Sequence, residues 1–164
     1  MITLYLILTY LISSIPFGVV VNKLFSNEDI RKKGSGNIGA TNVARVMGKK
    51  FAILVLILDG LKGYIPVIFA TSIFKDSSNL SLLVIIIGLT AICGHIFPIY
   101  LKFKGGKGVA TTIAILFAID IKIGVIFILS WLLIFLLKRI SSLSALGATF
   151  LMPFMAIYFQ KTFF

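Results

Sequence analysis

Gly94-His95-Ile96-Phe97-Pro98-Ile99-Tyr100-Leu101-Lys102-Phe103-Lys104-Gly105-Gly106-Lys107-Gly108-Val109-Ala110-Thr111-Thr112 joins two apolar runs through a short basic turn. The first run ends at His95 and Pro98, lysines alternate with glycines, and the second run opens directly with threonines. This is the pattern of two membrane spans joined by a tight connection. Glycines at a helix start leave backbone N–H groups approachable, and Lys104 and Lys107 add positive charge, so the turn is a candidate seat for a phosphate. It is not a Walker A loop, because the GxxxxGK[ST] spacing is absent and Val109 follows Gly108. The alternative is a connection whose lysines only set membrane orientation.

Composition outside this stretch agrees with a membrane protein. Of 164 residues 59% are hydrophobic and only 13% charged, with a mean hydropathy of +1.11, far more apolar than a soluble domain. One integral membrane domain covering residues 1–164 is expected, an all-α bundle of about six spans of roughly 15 to 22 residues each. The net charge of +11 does not indicate nucleic acid, because the basic residues are dispersed between apolar runs. The single Cys93 excludes an internal disulfide and a multi-cysteine metal site. The first apolar run lacks a preceding basic region and a small-residue cleavage pattern, so it reads as a retained span.

Taken in order, Ile2 to Val21 forms the first expected span, with Pro16 and Gly18 near its far end. The longest polar segment, Asn22 to Lys50, carries the string Gly34-Ser35-Gly36-Asn37-Ile38-Gly39-Ala40-Thr41-Asn42-Val43-Ala44-Arg45. Its glycines disfavour a helix, whereas Ala40 to Met47 suits a short helix at the membrane surface. Phe51 to Phe74 is the second span, interrupted by Asp59-Gly60-Leu61-Lys62-Gly63 and by Pro66. Asp59 and Lys62, three residues apart, share a helical face and suit a structural ion pair within the bilayer. Leu82 to Tyr100, Val109 to Ile119, Ile123 to Leu137 and Ala145 to Phe159 complete the six, the last broken by Gly147 and Pro153.

Charge then assigns sides. The first connection holds Lys23, Arg31, Lys32, Lys33, Arg45, Lys49 and Lys50, the third Lys102, Lys104 and Lys107, and the fifth Lys138 and Arg139. The opposite side has only Lys75, Lys122 and Lys161. The odd-numbered connections are therefore expected in the cytoplasm and the N-terminus outside. All the unusual strings fall on one face, as a site assembled from loop ends requires.

These strings resemble those of the bacterial acyl-phosphate-dependent glycerol-3-phosphate acyltransferases, small polytopic enzymes that make lysophosphatidic acid at the start of phospholipid synthesis. The resemblance runs from Ser14-Ile15-Pro16-Phe17-Gly18 to about Leu146 and includes GSGNIGATNVAR, DGLKG, GHIFPIYLKFKGGKGVAT and RISSLS, in that order. It implies transfer of an acyl group from acyl phosphate to the 1-hydroxyl of glycerol 3-phosphate in the bacterial inner membrane, among membrane lipids, with neither acyl-CoA nor a metal or other cofactor. By matching motif it implies Ser35, Thr41, Asn42 and Arg45 from the first string, His95, Lys104, Gly105, Gly106 and Lys107 from the second, and Ser141 and Ser142 from the third. Family members usually continue through a seventh span to an His-x-x-Asn motif. This chain has His95 as its only histidine and ends before it.

The chemistry needs cations, since both substrates are phosphorylated. Ser35, Arg45 and Lys104 are expected to hold glycerol 3-phosphate, and the backbone from Gly105 to Gly108 with Ser141 and Ser142 to hold acyl phosphate. Ser35, Arg45, Lys104 and Ser142 are the expected catalytic set, with Thr41, Asn42, His95 and Lys107 binding substrate. A structural or substrate-orienting role is expected for His95. Two competing readings are a small-anion or phosphate transporter and a shortened, non-catalytic relative that binds lipid phosphate. The transporter would require mid-membrane charges and an internal repeat; only Asp59 and Lys62 lie deep, and the chain shows no repeat.

Overall fold

The computed structural model describes the backbone of residues 1–162 and the side chains of residues 1–154. Among the described residues there are eight α-helices and no strand: α1 (Ile2–Ser13), α2 (Phe17–Phe25), α3 (Ala40–Val46), α4 (Lys49–Ile73), α5 (Leu80–Ile96), α6 (Val109–Ile119), α7 (Ile121–Lys138) and α8 (Ser141–Thr162). Short 3₁₀ turns occupy Ile30–Lys32 and Ile99–Leu101. Helix is the economical solution for such apolar segments, because it satisfies every interior backbone group within the segment itself. The side chain of Lys161 and the far half of the last apolar run lie outside the described side chains.

The first expected span is two helices rather than one. Pro16 lacks an N–H and disfavours helical geometry in the residue before it, so α1 ends at Ser13 and α2 restarts at Phe17. The break exposes carbonyls, and the bundle answers them: Lys62 Nζ donates to the Ile15 carbonyl at 2.9 Å.

The expected interruption of the second span does not occur. Helix α4 runs unbroken through Gly60, Gly63 and Pro66. Pro66 cannot bond the carbonyl four residues earlier, that of Lys62, and the Ser13 hydroxyl takes its place at 2.9 Å. Helix α8 likewise continues through Gly147 and Pro153. The short surface helix appears as α3, and α6 occupies the expected residues.

Helix α4 is the central element, packing against α3, α5 and α6, while α1 lies on α5, and α7 on α6 and α8. Helices α4 and α6 approach closely. A Cβ on Gly63 would stand 2.8 Å from Cγ2 of Thr111, so only glycine admits this contact. One apolar cluster, including Ile30, Val43 and Val55, ties the first connection to α4. A second, including Val67, Ile87 and Ile115, fills the centre of the bundle.

Four segments are long and apolar enough to cross a bilayer: Ile2–Phe25, Lys49–Ile73, Leu80–Leu101 and Ile121–Lys138. Helix α6, with 11 residues, rises roughly 16 Å against a hydrocarbon core of about 30 Å. Its own rise is therefore shorter than that core is thick, and Asp120 caps the following α7 by accepting from the Lys122 N–H at 2.6 Å.

Candidate active site

The first polar string is shaped by Asn42. Its Oδ1 accepts from the Ser35 N–H at 2.8 Å, and its Nδ2 donates to the carbonyls of Ile30 at 3.2 Å and Lys33 at 3.1 Å. Asn42 is buried, whereas Ser35, Thr41 and Arg45 are exposed. The amide therefore fixes the loop that presents Ser35. Asn22 supports the same loop from α2, accepting from the Ile30 N–H at 2.9 Å.

The glycine turn also differs from expectation. The N–H groups of Gly105 and Gly106 do not stand open: they donate to the terminal α5 carbonyls of Ile96 at 3.0 Å and His95 at 3.2 Å. These bonds satisfy carbonyls that a helix end leaves unpaired. Among the described residues, the N–H groups of Lys107 and Gly108 find no acceptor. The N–H groups left open thus lie at the start of α6, where Gly108 has the left-handed conformation at φ 75°. Lys104 and Lys107 are exposed on either side of the buried Gly106.

Beneath the turn lies His95, only 4% exposed. Its Nδ1 is 3.2 Å from the Thr111 hydroxyl and 3.7 Å from Asp59 Oδ1. Asp59 Oδ1 is 2.8 Å from Lys62 Nζ, with both side chains at most 4% exposed. A buried charge needs such a partner. On its other side the imidazole meets Gly106 so closely that a Cβ there would collide with Nε2.

The third string lies across a cavity of about 310 Å³. Gly106, Lys107 and Ser142 line it together with Phe127, Ala145 and Thr149. From Ser142 to Thr149 is seven residues of α8, about 10 Å of rise, so the cavity leads from the basic turn into the apolar bundle. Trp131 fixes the start of α8 by donating from Nε1 to the Ser141 carbonyl at 3.2 Å.

Charge pairing occupies only a few of the lysines and arginines. Of five acidic residues, Glu28 pairs with Lys33, Asp29 with Arg31, and Asp59 with Lys62. The Arg31 guanidinium and backbone N–H hold the Asp29 carboxyl down to about 2, so it remains ionised and keeps Arg31 occupied at neutral pH. Among the described residues Arg45, Lys104 and Lys107 form no ion pair. Leu101 of the second string packs against the apolar cluster that includes Ile38 and Val43 of the first; the second and third share the cavity.

A protein-family model described as "Glycerol-3-phosphate acyltransferase" matches residues 3–164. The chain belongs to the glycerol-3-phosphate acyltransferase family. It is 46% identical over 159 residues to a glycerol-3-phosphate acyltransferase of Wolbachia pipientis subsp. Culex pipiens (strain wPip), covering 97% of this chain and 81% of that one. A second, from Aquifex aeolicus (strain VF5), is 46% identical over 156 residues, covering 93% and 79%. A solved structure described as PlsY (YgiH), an integral membrane glycerol 3-phosphate acyltransferase in its glycerol 3-phosphate form, superposes with a TM-score of 0.86 at 42% identity, covering 97% of this chain and 77% of that one. A second structure of that protein, in a lysophosphatidic acid form, gives 0.85 at 40%.

The anticipated second and third strings thus line one cavity, and Leu101 joins the second to the apolar cluster of the first. Thr111, Leu101 and the Asp59–Lys62 pair are additions. The DGLKG string signalled the pair, but no local pattern signals that Thr111 faces His95, because that contact depends on how α5 and α6 pack.

Proposed function

We propose that this chain transfers a fatty acyl group from acyl phosphate to the 1-hydroxyl of glycerol 3-phosphate, forming lysophosphatidic acid and inorganic phosphate. The observation that carries the reading is the apolar cavity lined by Gly106, Lys107 and Ser142, with Lys104 exposed on the same basic turn. Such an arrangement suits substrates with an anionic head and a hydrocarbon tail. The solved relatives, described in glycerol 3-phosphate and lysophosphatidic acid forms, support both ends of the same reaction.

In this reading Arg45 grips the phosphate of glycerol 3-phosphate with its planar fork, and Lys104 adds a point charge. Ser35 hydrogen-bonds the same phosphate. The acyl phosphate head lies against Lys107, Gly108 and Ser142, with Ser141 supporting the helix start, while Thr41 borders the first loop. The tail enters the cavity between α6, α7 and α8, where each buried CH₂ contributes about 0.8 kcal/mol. The glycerol hydroxyl oxygen forms the new bond to the acyl carbon. The bond from that carbon to the bridging oxygen breaks, and phosphate leaves with the electron pair. The hydroxyl proton passes to a phosphate oxygen of the substrates. No protein base is required, because phosphate is a good leaving group; positioning and charge stabilisation supply the catalysis.

The reading assigns the enzyme to the bacterial inner membrane, with six crossings, the N-terminus outside and the basic loops in the cytoplasm. The lysine and arginine distribution supports it. The test is a donor comparison on purified protein. Acyl phosphate yields lysophosphatidate with stoichiometric phosphate release, and acyl-CoA yields none; efficient use of acyl-CoA with no use of acyl phosphate contradicts the reading.

A further inference from the structure

The Thr111 hydroxyl stands between two partners. It is 2.8 Å from the Asp59 main-chain carbonyl and 3.2 Å from Nδ1 of His95. A carbonyl oxygen can only accept, so the single hydroxyl proton of Thr111 is directed to Asp59. Thr111 Oγ1 is then left as an acceptor for His95, and Nδ1 must carry a proton. An independent contact agrees. Nδ1 also faces Asp59 Oδ1 at 3.7 Å, where an N–H is attracted to the carboxylate and a lone pair repelled. The hydrogen bond at one ring nitrogen settles the tautomer of the whole imidazole. In the neutral ring Nε2 is consequently the bare nitrogen, and Nε2 is the edge pressed against Gly106.

We propose that Thr111 is a positioning residue for acyl transfer. It holds His95 as the Nδ1–H tautomer and thereby fixes the ring edge on which the glycine turn rests. The Asp59–Lys62 pair is the anchor of the arrangement, with Lys62 also tied to Ile15 and Asp59 to Thr111. The chain of contacts runs from the break between α1 and α2, through α4 and α6, to His95 and the turn that displays Lys104 and Lys107. Gly106 bonds to the His95 carbonyl and abuts its ring, so a rotated imidazole cannot leave the turn where it is. The proposal rests on the acyltransferase reading for its consequence, but its structural part does not.

The chain contains one histidine, so a selectively ¹⁵N-histidine-labelled sample in detergent reports His95 alone. The wild-type spectrum is expected to show the protonated-type nitrogen at Nδ1 and the unprotonated type at Nε2. A proton on Nε2 overturns the proposal without any variant being needed. Thr111→Val keeps the shape but removes the acceptor, and Thr111→Ser keeps the hydroxyl. Thr111→Val is expected to lose the Nδ1–H signature and to lower kcat about tenfold, comparable with removing an outer partner of a functional histidine. Its KM for glycerol 3-phosphate should change less, and Thr111→Ser should restore both signature and turnover. An unchanged spectrum and unchanged kcat in folded Thr111→Val overturn the proposal. If the wild type makes no lysophosphatidate, the functional reading fails while the spectrum still decides the tautomer.

Discussion

Lys62 donates to the main-chain carbonyl of Ile15 across 2.9 Å, joining the middle of α4 to the break between α1 and α2. The same ammonium lies 2.8 Å from Asp59. The deep ion pair thus serves the backbone as well as its own neutrality, supplying a donor where Pro16 has disrupted the helix.

Removing only one charge of this pair should be worse than removing both. Lys62→Met leaves Asp59 uncompensated and is expected to cost about 3 to 5 kcal/mol. The double variant Asp59→Asn/Lys62→Met loses only the hydrogen bond to the Ile15 carbonyl, about 0.5 to 1.5 kcal/mol, since that oxygen still accepts from the Phe17 N–H at 3.1 Å. Thermal unfolding in detergent checks this; a double variant as unstable as the sum of the singles would contradict it.

Arg45 and Lys104 have no internal partner, so their removal should spare the fold and harm the reaction. A hydrogen bond to a charged group contributes about 1.5 to 3 kcal/mol, and each 1.36 kcal/mol is tenfold in rate. Arg45→Ala and Lys104→Ala are each expected to lower kcat/KM for glycerol 3-phosphate at least about tenfold, with unchanged folded yield. Arg45→Lys should recover only part, because an ammonium lacks the bidentate fork. Steady-state kinetics with glycerol 3-phosphate varied is the measurement.

Gly106→Ala introduces a Cβ into the space of His95 Nε2, whereas Gly48→Ala adds one with no atom within 4 Å. Gly48 has φ 92°, so its substitution strains the backbone without touching the turn. Gly106→Ala should abolish turnover at a folded yield no lower than that of Gly48→Ala. Parallel purification and assay of the two separate a displaced turn from general instability.

Much of this was legible in the sequence. Val109 to Ile119 could be read directly as a helix, because Gly108 and Asp120 punctuate it and the run between is wholly apolar or threonine. The three strings stand out in the sequence by their glycines, serines and cations. What could not be read were bonds between distant segments. The Pro16 break needed a donor 47 positions away in Lys62, and Pro66 went unnoticed in α4 because Ser13 bonds the carbonyl it frees. Glycine composition suggested open N–H groups at Gly105 and Gly106, but the end of α5 had carbonyls to satisfy and claimed both. Asn42 looked like a ligand residue, and only the folded loop shows its amide fully used.

Ala145 lines the cavity near its Ser142 end. Ala145→Phe fills space assigned to the acyl tail, and is expected to shift donor preference to shorter chains while leaving KM for glycerol 3-phosphate within about twofold, since the head-group cations are untouched. Competition between acyl phosphates of two lengths, read by product mass, tests the assignment.

The most direct test is mass-spectrometric detection of lysophosphatidate made by the purified 164-residue chain from acyl phosphate and glycerol 3-phosphate, alongside Lys104→Ala. Product in the wild type and its near-absence in the variant is the predicted result. Equal product from both, or none from a folded wild type, would contradict the cationic site described above.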